Sequence, residues 1–271
     1  MDESSVSDIL NNEKFQKLRE DFLAGKEPAV CKGCFALERH QKESPREQFN
    51  TIFRHRLAQI YAKKEVELTK VEPAYLDLRF SNVCNLKCRG CYPGSSSSWT
   101  EDFEKLTGQK YKKKLRISQY DIVKEITDKL EGVERIYFAG GEPLIMTETY
   151  ELLSKIIEKN LDIDLQFNTN LSQLSFGQHY ILDYWKKLKN VILTISLDDI
   201  YQRGEYFRKG LDFEQFLANW KKIEEETPHV KMTVNITVNV MNIYYLDKIV
   251  DFLLTELNLC LDAINFNILT E

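Results

Sequence analysis

The chain has 271 residues, 43% of them hydrophobic, and a net charge of −5. That length and apolar content suit an α/β barrel with an extension, and the acidic balance argues against a broad nucleic-acid or membrane surface. No apolar run is long enough to span a bilayer. The polar start MDESSVSDILNNEK lacks the apolar stretch of a secretory signal, so a cytoplasmic location is expected.

In chain order, residues 1–72 read as a helical extension. Phe15, Leu18 and Phe22 share one helix face, and a Gly-Lys-Glu-Pro break leads into CKGC at 31–34. Ser44-Pro45-Arg46-Glu47 is a capping-box start, and the helix it opens carries Phe49, Ile52, Phe53, Leu57 and Ile60. Over 73–271 the pattern becomes strand–helix alternation, with strands expected at 74–81, 134–140, 162–168, 190–197, 230–240 and 263–269. The basic run YKKKLR at 111–116 reads as a solvated loop. Phe213, Phe216, Leu217, Trp220 and Ile223 form one helical stripe; Leu246, Ile249, Val250, Leu253 and Leu257 form another. Such alternation implies a parallel sheet with right-handed crossovers. Six units fit a doubly wound sheet or an open partial (β/α)6 TIM-like barrel.

The strand pattern favours the barrel. Strands covered by helices on both faces run continuously apolar, whereas these alternate. Val234, Ile236, Val238 and Val240 face one way, and Thr233, Asn235, Thr237 and Asn239 the other. Leu193, Ile195 and Leu197 oppose Thr194, Ser196 and Asp198; Gln166 and Asn168, then Asn265 and Asn267, continue the polar side. Closed barrels fill their interior with Val, Ile and Leu, so this lining points to a chamber for a sizeable polar ligand. A face open to bulk water would carry more Lys and Glu.

Five of the six cysteines fall into two tight groups, Cys31 with Cys34 and Cys84 with Cys88 and Cys91; Cys260 stands alone. Such groups read as metal or redox sites. The spacing C-x3-C-x2-C lets one short loop present three thiolates, at the strand end where α/β barrels place catalysis. A structural zinc wants four ligands, and a 4Fe-4S cluster normally takes four thiolates. Three leave one iron open to a non-protein ligand. A non-catalytic zinc module using Cys260 as the fourth ligand is the alternative of another class.

C-x3-C-x2-C at the end of the first strand, joined by GGEP (140–143) at the end of the second, resembles the radical S-adenosylmethionine (radical SAM) superfamily over about residues 73–270. The resemblance implies that Cys84, Cys88 and Cys91 hold a 4Fe-4S cluster whose open iron is chelated by S-adenosylmethionine. Reductive cleavage then gives a 5′-deoxyadenosyl radical that takes hydrogen from a substrate. Gly140 and Gly141 allow close backbone approach. By resemblance that backbone and the Glu142 carboxylate receive the methionine ammonium, and Pro143 fixes the turn.

The segment NTN (168–170) is similar to one that touches the ribose or methionine carboxylate, which implies Asn168 and Thr169 as contacts. SLDD (196–199) followed by YQRGEYFRKG (201–210) resembles the subgroup with C-terminal SPASM or twitch domains. That match implies Ser196 and Asp198 at the nucleoside and Arg208 on the methionine carboxylate. Val238 and Val240 are adenine-wall candidates, with core packing the competing account. Two departures stand out. Gly90 occupies the position where the family has an aromatic, leaving Tyr92 as the aromatic neighbour, and the C-terminal cluster domain is expected to be absent from this chain.

The stretch CKGCFALERHQKESPREQFN resembles an N-terminal segment of twitch-type proteins, which implies Cys31 and Cys34 as ligands of an auxiliary iron–sulfur cluster. Zinc binding with His40, or two unligated thiols, are the other readings. Asn235, Asn239 and Asn267 would face the substrate. The subgroup implies a peptide or protein side chain, with a small molecule or nucleoside second, and an electron donor such as flavodoxin or ferredoxin. The run Ser95–Ser98 is either a hinge over the cluster or a set of donors to its sulfides.

Overall fold

The computed structural model describes residues 6–62, 71–111 and 122–269, so most of the 111–116 run lies outside the described residues. The chain divides into two compact units, Met1–Glu72 and Pro73–Glu271.

The first unit is helical: Val6–Asn11, Glu13–Leu23, Lys32–Arg39, Pro45–Ile52 and Arg54–Ala62. The capping box forms as its residues dictate. Ser44 Oγ accepts from Glu47 N at 3.2 Å, and Glu47 returns a carboxylate oxygen to Ser44 N at 3.1 Å. The expected helix through Ile60 is broken at Phe53, which caps one helix before Arg54 begins the next. Among the described residues of this unit only Ser44 is buried, and Phe15, Phe22, Phe49 and Ile60 stay largely exposed.

The second unit is built on six parallel strands: β1 Tyr75–Leu78, β2 Arg135–Phe138, β3 Asp164–Thr169, β4 Val191–Ser196, β5 Lys231–Val238 and β6 Ile264–Ile268. They pair strictly in chain order, β1-β2-β3-β4-β5-β6. A doubly wound sheet reverses its order at a switch point; this one does not. The sheet winds in one direction and stays open between β1 and β6, an open partial TIM-like barrel.

Helices Thr147–Glu158, Phe213–Glu226 and Leu246–Thr255 cover the outer face with the expected stripes. Phe213, Phe216, Trp220 and Ile223 are buried, as are Ile249 and Leu253. Phe138 of β2 stacks on Phe167 of β3, with centroids 4.6 Å apart. Each such side chain contributes roughly 1.5–3 kcal/mol by leaving water. No helix among the described residues is long and apolar enough to cross a membrane.

The inner face is polar and cross-linked. Gln166 Nε2 donates to Thr194 Oγ1 (3.1 Å), Ser196 Oγ to Asn168 Oδ1 (3.3 Å), and Thr233 Oγ1 to the Leu193 carbonyl (3.1 Å). Two expectations need correction here. β5 stops at Val238, because Asn239 spends both ends of its side chain on a turn, donating to Thr237 O and accepting from Met241 N. Asn239 therefore builds the strand end and does not line the chamber, and Val240, 88% exposed, is neither core nor wall. β6 is an edge strand whose residues past Ile264 are exposed, and its register sets Asn265 and Asn267 beside Asn235 and Thr237 on the inner face.

Candidate active site

The cysteine loop follows β1 at the C-terminal edge of the sheet, and three separate elements clamp it. The first is GGEP. Gly141 N donates to Ser81 O (3.0 Å) and Glu142 N to Val83 O (2.8 Å), so this strip lies alongside the residues leading into Cys84. A Cβ on Gly141 would stand 2.0 Å from Val83 O. Gly140, at φ +108°, adopts a conformation that favours glycine. These glycines thus serve a backbone-to-backbone contact with the cysteine loop, not only approach by a ligand.

The serine run is the second clamp. Ser96 Oγ donates to Leu86 O (2.7 Å), Ser98 Oγ to Cys84 O (2.6 Å), and Ser97 N to Asn82 O (2.7 Å). Trp99 Nε1 adds a bond to Cys88 O at 2.8 Å. Ser96, Ser97 and Ser98 thus satisfy the carbonyls of a tightly wound loop, and the Ser96 hydroxyl also favours the charged form of Cys84. Ser96→Ala should leave the buried Leu86 carbonyl without its donor and cost about 1–3 kcal/mol, read as a lower Tm.

The third clamp comes from the far side of the barrel. Lys87–Cys88 pairs antiparallel with Arg208–Lys209, and Arg89 N donates to Phe207 O at 2.8 Å. No pattern in the sequence singles out Phe207. Its ring lies 3.8 Å from where a Gly90 Cβ would sit, so it fills the space that an aromatic at position 90 would otherwise take. Tyr92 is 63% exposed and its ring lies against Gly94.

Glu142 is buried and its carboxylate is turned inward. It accepts from Leu144 N (3.1 Å), Thr169 Oγ1 (2.8 Å) and Asn170 N (2.7 Å), tying the ends of β2 and β3 together. Three accepted bonds leave one of about four acceptor sites of a carboxylate uncommitted. Thr169 is committed to the same clamp, and Pro143 opens the short turn Pro143–Ile145 that Glu142 caps.

Burial outweighs these donors and the Arg208 charge, and pushes the Glu142 carboxyl up to about 7 from 4.5. A raised folded pKa contributes stability that is fully present below about 4.5 and lost as pH rises through about 7, roughly 3 kcal/mol in all. Denaturation midpoints taken between pH 4.5 and 8 should fall with rising pH, and Glu142→Gln should flatten that slope.

Asp198 and Arg208 meet each other directly. Arg208 Nη2 lies 2.8 Å from Asp198 Oδ2, and both side chains are buried. Asp198 Oδ1 accepts from Thr237 N at 2.9 Å, so its carboxylate does not line a nucleoside site as expected. Arg208 Nη1 approaches Cys88 Sγ at 3.7 Å, and its Nε is buried without a partner. Asn168, Ser196 and Asn235 are half-buried on the inner face.

Cys84, Cys88 and Cys91 are free thiols, Cys88 buried and the others half-buried. Burial pushes Cys84 up. Cys88 and Cys91 share a hydrogen bond that raises the first and lowers the second, while Arg208 draws both down. Among the described residues no three His, Cys, Asp or Glu side chains gather as a single ion would require. Cys260 precedes β6, at the N-terminal edge of the sheet, while the cysteine loop follows β1 at the C-terminal edge. Parallel strands put these at opposite ends, so the zinc module with Cys260 is ruled out by geometry. Nor, among the described residues, does a third ligand join Cys31 and Cys34.

Residues 78–253 match the family model of the radical SAM superfamily. The chain belongs to the radical SAM superfamily. Curated relatives include a GTP 3′,8-cyclase from Campylobacter lari, 32% identical over 126 residues that cover 46% of this chain and 36% of the relative. Another, from Sulfurimonas denitrificans, is 27% identical over 179 residues, 66% of this chain and 50% of its own length. The chain thus spans about a third to a half of the curated relatives it matches.

Two solved structures share the fold. Native anSMEcpe with bound AdoMet has a TM-score of 0.52 at 18% identity, covering 73% of this chain and 52% of that one. Streptococcus suis SuiB bound to precursor peptide SuiA has a TM-score of 0.52 at 17% identity, covering 98% and 55%. Membership makes this a radical SAM enzyme that uses a 4Fe-4S cluster and S-adenosylmethionine. The donor set fits that cluster: three free thiols on one clamped loop, with a buried guanidinium at one sulfur.

Proposed function

We propose that Cys84, Cys88 and Cys91 hold the cluster at the mouth of the polar chamber, and that the substrate is a peptide or protein side chain. The observation that carries the assignment is the clamping of this one loop by GGEP, the serine run and the Arg208 ribbon together. When bound, the cluster and S-adenosylmethionine supply one-electron cleavage of a carbon–sulfur bond and a radical able to abstract hydrogen. The chain's own residues position and enclose. The backbone of Gly140 and Gly141 receives the methionine ammonium. Arg208 Nε is the donor left over for the methionine carboxylate. Asn168 and Ser196 meet the nucleoside, and Asn235 meets the substrate.

The inner face supports a substrate of low charge. Its lining is rich in amides and hydroxyls, and Arg79 and Arg135 are paired, with Asp77 at 2.8 Å and Asp164 at 2.9 Å, while Lys231 at the start of β5 shares the face of Thr233 and Asn235. A nucleoside triphosphate would call for free cations in a fork geometry. The names of the curated relatives favour that second reading, a nucleotide substrate.

After anaerobic reconstitution the protein should hold about four irons per chain and release 5′-deoxyadenosine when reduced by a flavodoxin or ferredoxin. Deuterium transfer into 5′-deoxyadenosine from a labelled peptide supports the first substrate reading; transfer from labelled GTP alone replaces it with the second. Iron in clear excess of four would support an auxiliary cluster at Cys31 and Cys34.

A further inference from the structure

We propose that the buried Arg208–Asp198 pair sets the reduction potential of the cluster held by Cys88. The inference rests on the three-cysteine assignment above and goes beyond it, to how readily the cluster accepts an electron.

An arginine seldom leaves water without cause. Arg208 is only 8% exposed and comes from a point 120 residues beyond Cys88. Its backbone is fixed by the antiparallel pairing of Cys88 with Arg208, and its guanidinium is shared between two groups. Nη1 points at Cys88 Sγ (3.7 Å), and Nη2 at Asp198 Oδ2 (2.8 Å). Asp198 is itself fixed, accepting Thr237 N on Oδ1 while its carbonyl accepts Asn242 Nδ2. A neutral donor, Asn170 Nδ2, stands 3.9 Å from Cys84 Sγ.

Reduction takes one electron from an external one-electron donor and makes the cluster with its thiolates one unit more negative. A cation donating N–H toward a ligating sulfur stabilises that added charge, and hydrogen bonds to sulfur and local charge are among the factors that set such potentials. Asp198 opposes it by compensating the guanidinium. The two residues therefore pull the potential in opposite directions, which a purely structural pair would not do.

The test is an EPR-monitored redox titration of the reconstituted full chain without S-adenosylmethionine, so that cofactor binding does not enter. Arg208→Gln should shift the midpoint to more negative values, and Asp198→Asn to more positive ones. Arg208→Lys, which keeps the charge, should recover part of the wild-type value. A tenfold change in the reduction equilibrium, 59 mV for a one-electron couple, is the expected order of the larger shifts. Iron and sulfide are counted in each sample. A wild-type chain that takes up no cluster defeats the three-cysteine assignment itself. A wild-type chain that loads normally, with variants shifting in the same direction or not at all, overturns the inference and leaves the assignment standing. Failure of both Arg208→Lys and Asp198→Asn to load also overturns it, because the pair then serves assembly.

Discussion

Replacing Cys88 by alanine is expected to abolish cluster loading, with iron falling from about four per chain toward zero. Formation of 5′-deoxyadenosine should drop by ~100-fold or more, since losing a ligand exceeds the 10–100-fold effect of losing an outer-shell partner. The apo fold should persist. The loop around position 88 is held through backbone atoms, by Trp99 Nε1 on the Cys88 carbonyl and by the ribbon to Arg208. Thermal unfolding of the apo variant should thus stay close to wild type while the iron analysis collapses. A Cys88→Ala protein that still cleaves S-adenosylmethionine at full rate would defeat the assignment.

Gly141→Ala should be nearly as severe for a different reason. Its Cβ would stand 2.0 Å from Val83 O and 2.5 Å from Val83 C, both backbone atoms. Neither side can give way without losing the bonds from Gly141 N to Ser81 O and from Glu142 N to Val83 O. Overpacking of this kind costs about 3 kcal/mol, or a Tm lower by about 6–12 °C in a domain of this size. Cysteine-loop geometry goes with it, so iron uptake should fall as well. An alanine variant with unchanged Tm and unchanged iron would show that the strip and the loop do not touch as described.

These two residues show what the sequence could reveal. The cysteine spacing and GGEP are local patterns, and alternation within TVNITV or LTIS is set by neighbours two apart, so strands and motif positions were readable. Strand order was not. Two topologies share the same succession of strands and helices; the polar alternation within strands favours the barrel, and the pairing of β1 with β2 and onward in sequence establishes it. Side-chain direction was also hidden. Nothing in GGEP tells whether Glu142 turns toward a ligand or back onto Thr169 and Asn170. The substitute for the missing aromatic at Gly90 is Phe207, and the partner of Cys88 is Arg208. Both sit far along the chain, where spacing carries no information. At Asn239 the polar alternation runs one residue past the point where that residue's own side chain turns the backbone.

The ribbon that joins Lys87–Cys88 to Arg208–Lys209 also fixes when the site comes into being. The sheet pairs in chain order, so a nascent chain can add strands as they emerge from the ribosome. The three cysteines appear early in synthesis, but their loop lacks its last clamp until residue 209 has been made and β4 is in place. Until then the thiols are exposed to oxidants and stray metals. The loop thus gains its last clamp only after four of the six strands have been made, long after its own cysteines.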